Sequence, residues 1–337
     1  MRRFVVAFAC ALCIGLVFAV SARSHVPPAP RVVVPPAAAP TSTARSASRL
    51  AAGRAVVTAA WGGGATEFGR KHEEESNPEG PMAIVARGGD VWVLDQVNHR
   101  VQRYRGGTLV ATIEIGTDTA QDIAPLRGGG VALLDRLAER NVQVYGPDGK
   151  PTNQIALADG GDATGVFADD RGIYIERDHQ SLARIATADG TATTDRDELA
   201  GRPSRDGRRT LQVAIENPAG ELLVRANDRA TGDQVWSRRL WTDGMIMQVV
   251  MLDSDAAGNV YVGVEVGREN VAPPFELSDV HTWVARIDAA GAWRGELMLP
   301  ALGPIDETLR PMTVDDRGVL YLMTSDASLQ VRSYTFP

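Results

Sequence analysis

Cysteine is almost absent. Only Cys10 and Cys13 occur in 337 residues, both inside the apolar run Phe4–Val20. Past that run no disulfide, thiol nucleophile or cysteine metal site can be built, so whatever folds there is held by burial alone. Neither cysteine sits in a lipoprotein cleavage box, Cys10 following Ala7-Phe8-Ala9 and Cys13 following Leu12. Basic excess is also missing. Lys and Arg number 35 against 42 Asp and Glu, a formal charge of −7. It becomes −9 without Arg2 and Arg3, which argues against a nucleic-acid partner, since that needs a basic stripe. No G-x-S-x-G elbow, P-loop or dinucleotide fingerprint is present. Trp61-Gly62-Gly63-Gly64 has no following Lys-Ser/Thr and reads as a flexible connection, and the acidic stretch Lys71–Glu75 reads as a solvated loop.

The amino terminus carries a targeting pattern. Arg2 and Arg3 precede the 17-residue apolar run, and Val20-Ser21-Ala22 is a small-residue cleavage site. These residues predict a secretory signal peptide over 1–22, with an uncleaved membrane anchor as the alternative; both place the remainder outside the cytoplasm, secreted or periplasmic. Residues 23–52, rich in Pro, Ala, Ser and Arg, predict an extended linker.

From residue 53 onward a repeat is visible. Apolar runs that follow Gly-containing turns begin at Val91, Val131, Ile173, Leu222, Val260 and Leu320, at offsets of 40, 42, 49, 38 and 60 residues. A period of 40–50 fits one four-stranded propeller blade. The long last offset is absorbed by two insertions, Gly267–His281 and Pro300–Leu309; the first contains Val271–Leu277, an apolar, proline-bearing loop expected to protrude. The sixth copy ends one strand short at Leu329–Phe336, and the lone strand Arg54–Trp61 is the piece that completes it. The expected fold is therefore all-β: a six-bladed β-propeller over 53–337, closed by its N-terminal strand so that no sheet edge is left there. The fourth blade is the least regular, with no evident outer strand between Gln234–Leu240 and Met245–Met251. Nine aromatics, Trp92, Tyr145, Tyr174, Trp236, Trp241, Tyr261, Trp283, Trp293 and Tyr321, fall within strands and are expected to pack between blades.

The phrase Val91–Tyr104, VWVLDQVNHRVQRY, resembles the core of an NHL repeat, and the other copies are weaker versions of it. That resemblance implies a propeller of the kind that often binds proteins or glycans. The expected function is an exported, non-enzymatic, monomeric binding scaffold with a protein or glycan partner and no cofactor. Polar residues expected on the innermost strands or at their entrances are Gln121, Asp122, Thr164, Gln212, Gln248 and Arg310, the candidate ligand contacts at the channel mouth. Ordered water solvating the channel is the commoner reason for polar residues at such positions.

A second resemblance supports the alternative. Glu79-Gly80-Pro81 is similar to the opening of the first blade in lactonase-like propellers, which implies a metal-dependent hydrolase holding calcium or another divalent cation through Glu79 and Asp122. The later ligand positions of that family fall here on largely apolar or amide residues, and a hard cation needs several oxygens. The amidating-lyase branch of NHL-like propellers needs several histidines; His25, His72, His99, His179 and His281 share no ligand spacing and are expected to be solvated.

Overall fold

The computed structural model describes residues 50–72, 74, 78–157, 163–194, 198–270, 276–302 and 307–337. The predicted signal peptide and nearly all of the linker lie outside the described residues, as do residues 271–275 of the apolar insertion.

Twenty-four strands form six four-stranded antiparallel sheets, a six-bladed propeller. Blade 1 runs β2 (Ala83–Arg87), β3 (Asp90–Asp95), β4 (Arg100–Arg105) and β5 (Thr108–Glu114). Blade 2 runs β6 (Asp122–Pro125), β7 (Val131–Asp135), β8 (Asn141–Tyr145) and β9 (Pro151–Ala156). Blade 3 runs β10 (Ala163–Asp169), β11 (Gly172–Arg177), β12 (Ser181–Ala186) and a three-residue β13 (Glu198–Ala200). Blade 4 runs β14 (Arg202–Pro203), β15 (Arg209–Asn217), β16 (Glu221–Asp228) and β17 (Gln234–Trp241). Blade 5 runs β18 (Met245–Ser254), β19 (Val260–Glu269), β20 (Leu277–Ile287) and β21 (Trp293–Pro300). Blade 6 takes β22 (Met312–Val314), β23 (Leu320–Ser325) and β24 (Leu329–Tyr334) from the C-terminus. Its outermost strand is β1 (Arg54–Ala59), paired antiparallel to β24. The two chain ends thus share one sheet, as the missing-strand count predicts. The N-terminal strand stops at Ala59, and Trp61 instead bridges Phe68.

Short-range chemistry shapes the turns. In blade 6 one oxygen of Asp315 accepts the amides of Arg317 and Val319, both at 2.9 Å. Asp255 repeats this in blade 5 with Ala257 and Asn259, and its other oxygen takes the Tyr261 hydroxyl at 2.8 Å. Such side-chain-to-backbone bonds stabilise a turn against extension. The fourth residue must then adopt positive φ, which Gly258 and Gly318 do at 81° and 82°. At Gly318 a Cβ would also meet the Tyr261 hydroxyl oxygen at 2.4 Å, so glycine is required there on two counts.

The loop after Trp61 is tied down, contrary to the expectation of a flexible connection. Asp95, at the end of β3, accepts from the Gly69 amide at 2.9 Å and from Asn98 and Arg100 at 3.0 and 2.9 Å. Arg100 reaches on to the carbonyls of Gly64 and Glu67, and Asn98 to that of Gly62. This Asn98-His99-Arg100 turn fastens a glycine loop that delivers Phe68, fully buried, against Tyr104. Ala51, placed with the linker on composition, donates to the Met298 carbonyl at 2.7 Å and packs against the core between blades 5 and 6.

Blade 4 corrects the repeat alignment. The run at Leu222 is its third strand, not its second, and Gln234–Trp241 is its outer strand. What sequence inspection missed was the inner strand, β14, which is only Arg202-Pro203 and has no apolar run to reveal it. The insertion Gly267–His281 is mostly a continuation of β19 and β20 as a projecting antiparallel ribbon, with Arg268 opposite Ser278 and Glu269 opposite Leu277. Two of the nine aromatics are not inter-blade packing: Trp241 and Trp293 are exposed.

Apolar cores lie between blades. Among the described residues there are five buried clusters, joining blades 1–2, 2–3, 4–5, 5–6 and 6–1. The junction of blades 3 and 4 has none. Buried there are Tyr174, Leu182 and Leu223, interleaved with Glu176, Thr210 and Arg229.

Candidate functional site

The inner strands start at one end of the channel and finish at the other. Ala83 of β2 bridges Arg310 in parallel, and the strand ends at Arg87, Pro125, Ala168 and Ser254 gather at the opposite mouth. Between the mouths lies a cavity of about 110 Å³, lined by all six inner strands. That is room for several water molecules.

Four arginines line it in two tiers. At the start of the inner strands Arg310 donates to Asp122 Oδ2 at 2.5 Å and to the Val166 carbonyl at 3.3 Å, joining blade 6 to blades 2 and 3. Arg202 forks onto Glu176 at 2.5 and 3.1 Å and reaches the Leu252 carbonyl, joining blade 4 to blades 3 and 5. Both guanidiniums lie over the Phe167 ring, 4.9 and 5.6 Å from its centre. At the far end Arg87 donates to the carbonyls of Pro125 and Ala168 at 2.8 and 3.0 Å. Arg205 contacts Asp253 at 3.1 Å, the Ser254 carbonyl at 2.8 Å and the Ala86 carbonyl. Asp253 in turn accepts from the Val314 amide and the Thr313 hydroxyl at 2.9 and 3.0 Å, so one carboxylate links blades 4, 5 and 6.

Burial pushes the Asp122 carboxyl up, while Arg310 and the amides of Val166 and Ile123 pull it down. Burial is the larger effect, so the carboxyl stands raised, although the three groups hydrogen-bonded to it are all donors. For Glu176 burial is likewise unfavourable, but Arg202 and the His179 hydrogen bond outweigh it and hold the carboxyl at about 2, against an ordinary 4.5. The Arg87 guanidinium is pushed down by burial and by Arg205.

A depressed carboxyl stabilises the fold above its unfolded pKa and ceases to as pH falls through the folded one. The unfolding free energy should therefore decline with acid between about 4.5 and about 2, partly through Glu176. In Glu176→Gln that slope should flatten; identical slopes by denaturant titration would show that the pair contributes nothing.

Each residue predicted for the channel mouth already has an intramolecular partner. Asp122 and Arg310 hold each other. Gln121 accepts the Arg136 amide at 2.9 Å, and Thr164 donates to Glu176 at 2.9 Å. Gln248, exposed on β18, donates to Glu265 at 2.6 Å. Gln212 is displaced from the channel altogether: it lies on β15, the second strand of blade 4, facing Asn227. The misaligned blade is the cause. Glu79 does not line the cavity; its backbone pairs with Lys71 and bridges Glu307. Among the described residues no three His, Cys, Asp or Glu side chains converge as a metal cluster.

Sequence reading missed Arg87, Arg202 and Arg205. Arg87 directly precedes the Gly-Gly turn, the one local signal available. His179, expected to be simply solvated, has an exposed ring whose Nδ1 lies 3.0 Å from Glu176. It and Asp178 both take positive φ, 56° and 50°, in a turn that normally favours Asn-Gly.

No protein-family model matches the chain, and no curated protein does. Solved structures do. The chain is similar to the hydrazine synthase of Kuenenia stuttgartiensis, at 14% identity over 75% of this chain and 77% of that one, with a TM-score of 0.53. It is also similar to the Pan2 WD40 domain of Neurospora crassa (13% identity, 75% and 88% covered, TM-score 0.45). A third similarity is to BamB of Moraxella catarrhalis (15%, 74% and 71%, 0.37). At such identities the likeness concerns the fold alone.

Proposed function

We propose that this chain is an exported NHL-like propeller that serves as a non-enzymatic scaffold, binding a protein partner on its loop-bearing face and not within its channel. The observation that supports this reading is the stapled channel, whose arginines and carboxylates are engaged with one another around a cavity of only about 110 Å³.

The two faces differ. Turns between first and second strands are tight, such as Gly88-Gly89 and Asp255–Asn259. The connections at the other end are long, such as the loop between β1 and β2 and the projecting β19–β20 ribbon. Met247 of β18 joins Leu277 and Val280 of that ribbon around Gly267, and Met247 and Leu277 are exposed. Asp243 and Asp279 border them, with Arg268 3.5 and 3.9 Å from these carboxylates. Exposed apolar side chains rimmed by charge are the composition of a recognition surface.

Photocrosslinking in the native envelope from position 277, and in parallel from position 171 on the turn face, tests this. The expected result is a discrete protein adduct from position 277 alone. Adducts from both positions, or a glycan in place of a protein, would overturn it.

A further inference from the structure

Among the described residues the junction of blades 3 and 4 lacks the apolar cluster present at the other five, and it buries an arginine whose hydrogen-bonding capacity is only partly used. Arg229 lies in the turn after β16 with 2% of its side chain exposed. Its Nη1 is bound to Asp169, and its guanidinium stacks 4.9 Å over the Tyr174 ring. Its Nε and Nη2 are buried without a partner. Those two N–H groups form the parallel fork that a carboxylate or phosphate accepts bidentately. Leaving both unsatisfied when buried is costly, so the fork needs an acceptor.

Two further arginines stand nearby. Arg184 is the direct cross-strand partner of Tyr174, and Arg171 follows the strand on which Asp169 sits. The one carboxylate in contact with Arg229, Asp169, is already spent on Nη1 and on the Arg171 amide. The outer strand of blade 3, beside this junction, is only three residues long. We propose that the junction of blades 3 and 4 is a binding site for one small oxyanion, held by Nε and Nη2 of Arg229, and that its occupancy tightens this junction of the ring.

Phosphate, sulfate and acetate are titrated into the full folded chain against chloride at matched ionic strength, with thermal unfolding and calorimetry as readouts. The expected result is saturable binding of one oxyanion per chain and a rise in Tm of about 5 °C at hundredfold excess over Kd. A preference for phosphate and sulfate identifies a tetrahedral occupant, and a preference for acetate a planar one. Arg229→Lys keeps the charge and the Asp169 pair but loses the fork, and should abolish the shift; Arg239→Lys, on the exposed face of β17, should keep it. Equal shifts in all three proteins would overturn the site. So would the absence of binding heat in the unmodified chain, whether or not the lysine variant folds, since water alone then fills the fork.

Discussion

Arg310→Met should lower the unfolding free energy by about 3–5 kcal/mol, because it leaves the Asp122 carboxylate buried without a counter-charge. Asp122 is fully buried, and among the described residues Arg310 is its one cationic hydrogen-bond partner. The Val166 and Ile123 amides would remain, and two neutral donors do not replace a guanidinium at 2.5 Å. The variant also removes the bond to the Val166 carbonyl, and with it a direct tie from blade 6 to blade 3. The double variant Asp122→Asn/Arg310→Met should recover most of the loss, since no unpaired charge then remains. Denaturant unfolding of the four proteins measures the coupling. A single-variant cost below about 1 kcal/mol, the level of a surface pair, would show that water reaches the site freely.

Deleting residues 50–60 should have the larger effect, loss of cooperative unfolding. The deletion removes β1 from blade 6 and takes Val57 and Ala59 out of the core shared with blade 1. The two buried side chains account for roughly 2–4 kcal/mol on the usual area scale, a large part of a domain's net stability. The cut also leaves β24 as a bare edge with unpaired backbone donors and acceptors, which invites association between copies. The truncated chain is expected to elute as aggregate and to be cleaved within 312–334. A synthetic peptide spanning Arg54–Ala59 added during refolding should restore part of the monomeric fraction. A monomeric truncation with an unchanged Tm would show that the C-terminal strands hold themselves.

Five of six blades could be read from the chain because their second strands are apolar runs after Gly turns, and short-range chemistry writes such runs openly. The Asp255 and Asp315 turns are local in the same sense: the aspartate and the amides it accepts lie within four residues. Blade 4 was misaligned because its inner strand consists of an arginine and a proline, whose strand character exists only through neighbours on either side. Gln212 went with it.

The candidate site was harder to read for a related reason. Gln121, Thr164 and Gln248 do stand at the inner strands, but the chain does not say that their partners are Arg136, Glu176 and Glu265. Arg205 and the Ala86 carbonyl, which meet across the channel, are 119 positions apart.

The sequence by itself determined the period, the number of blades and the closure of the ring by its two ends, since these follow from strand and turn propensities and from counting. Tertiary structure alone decided that the channel is cross-linked by four arginines and that, among the described residues, one of six blade junctions mixes charged with apolar side chains. Both depend on which charges meet after the ring has closed. Burial and counter-charge are properties of that meeting, and no residue carries them in its local sequence.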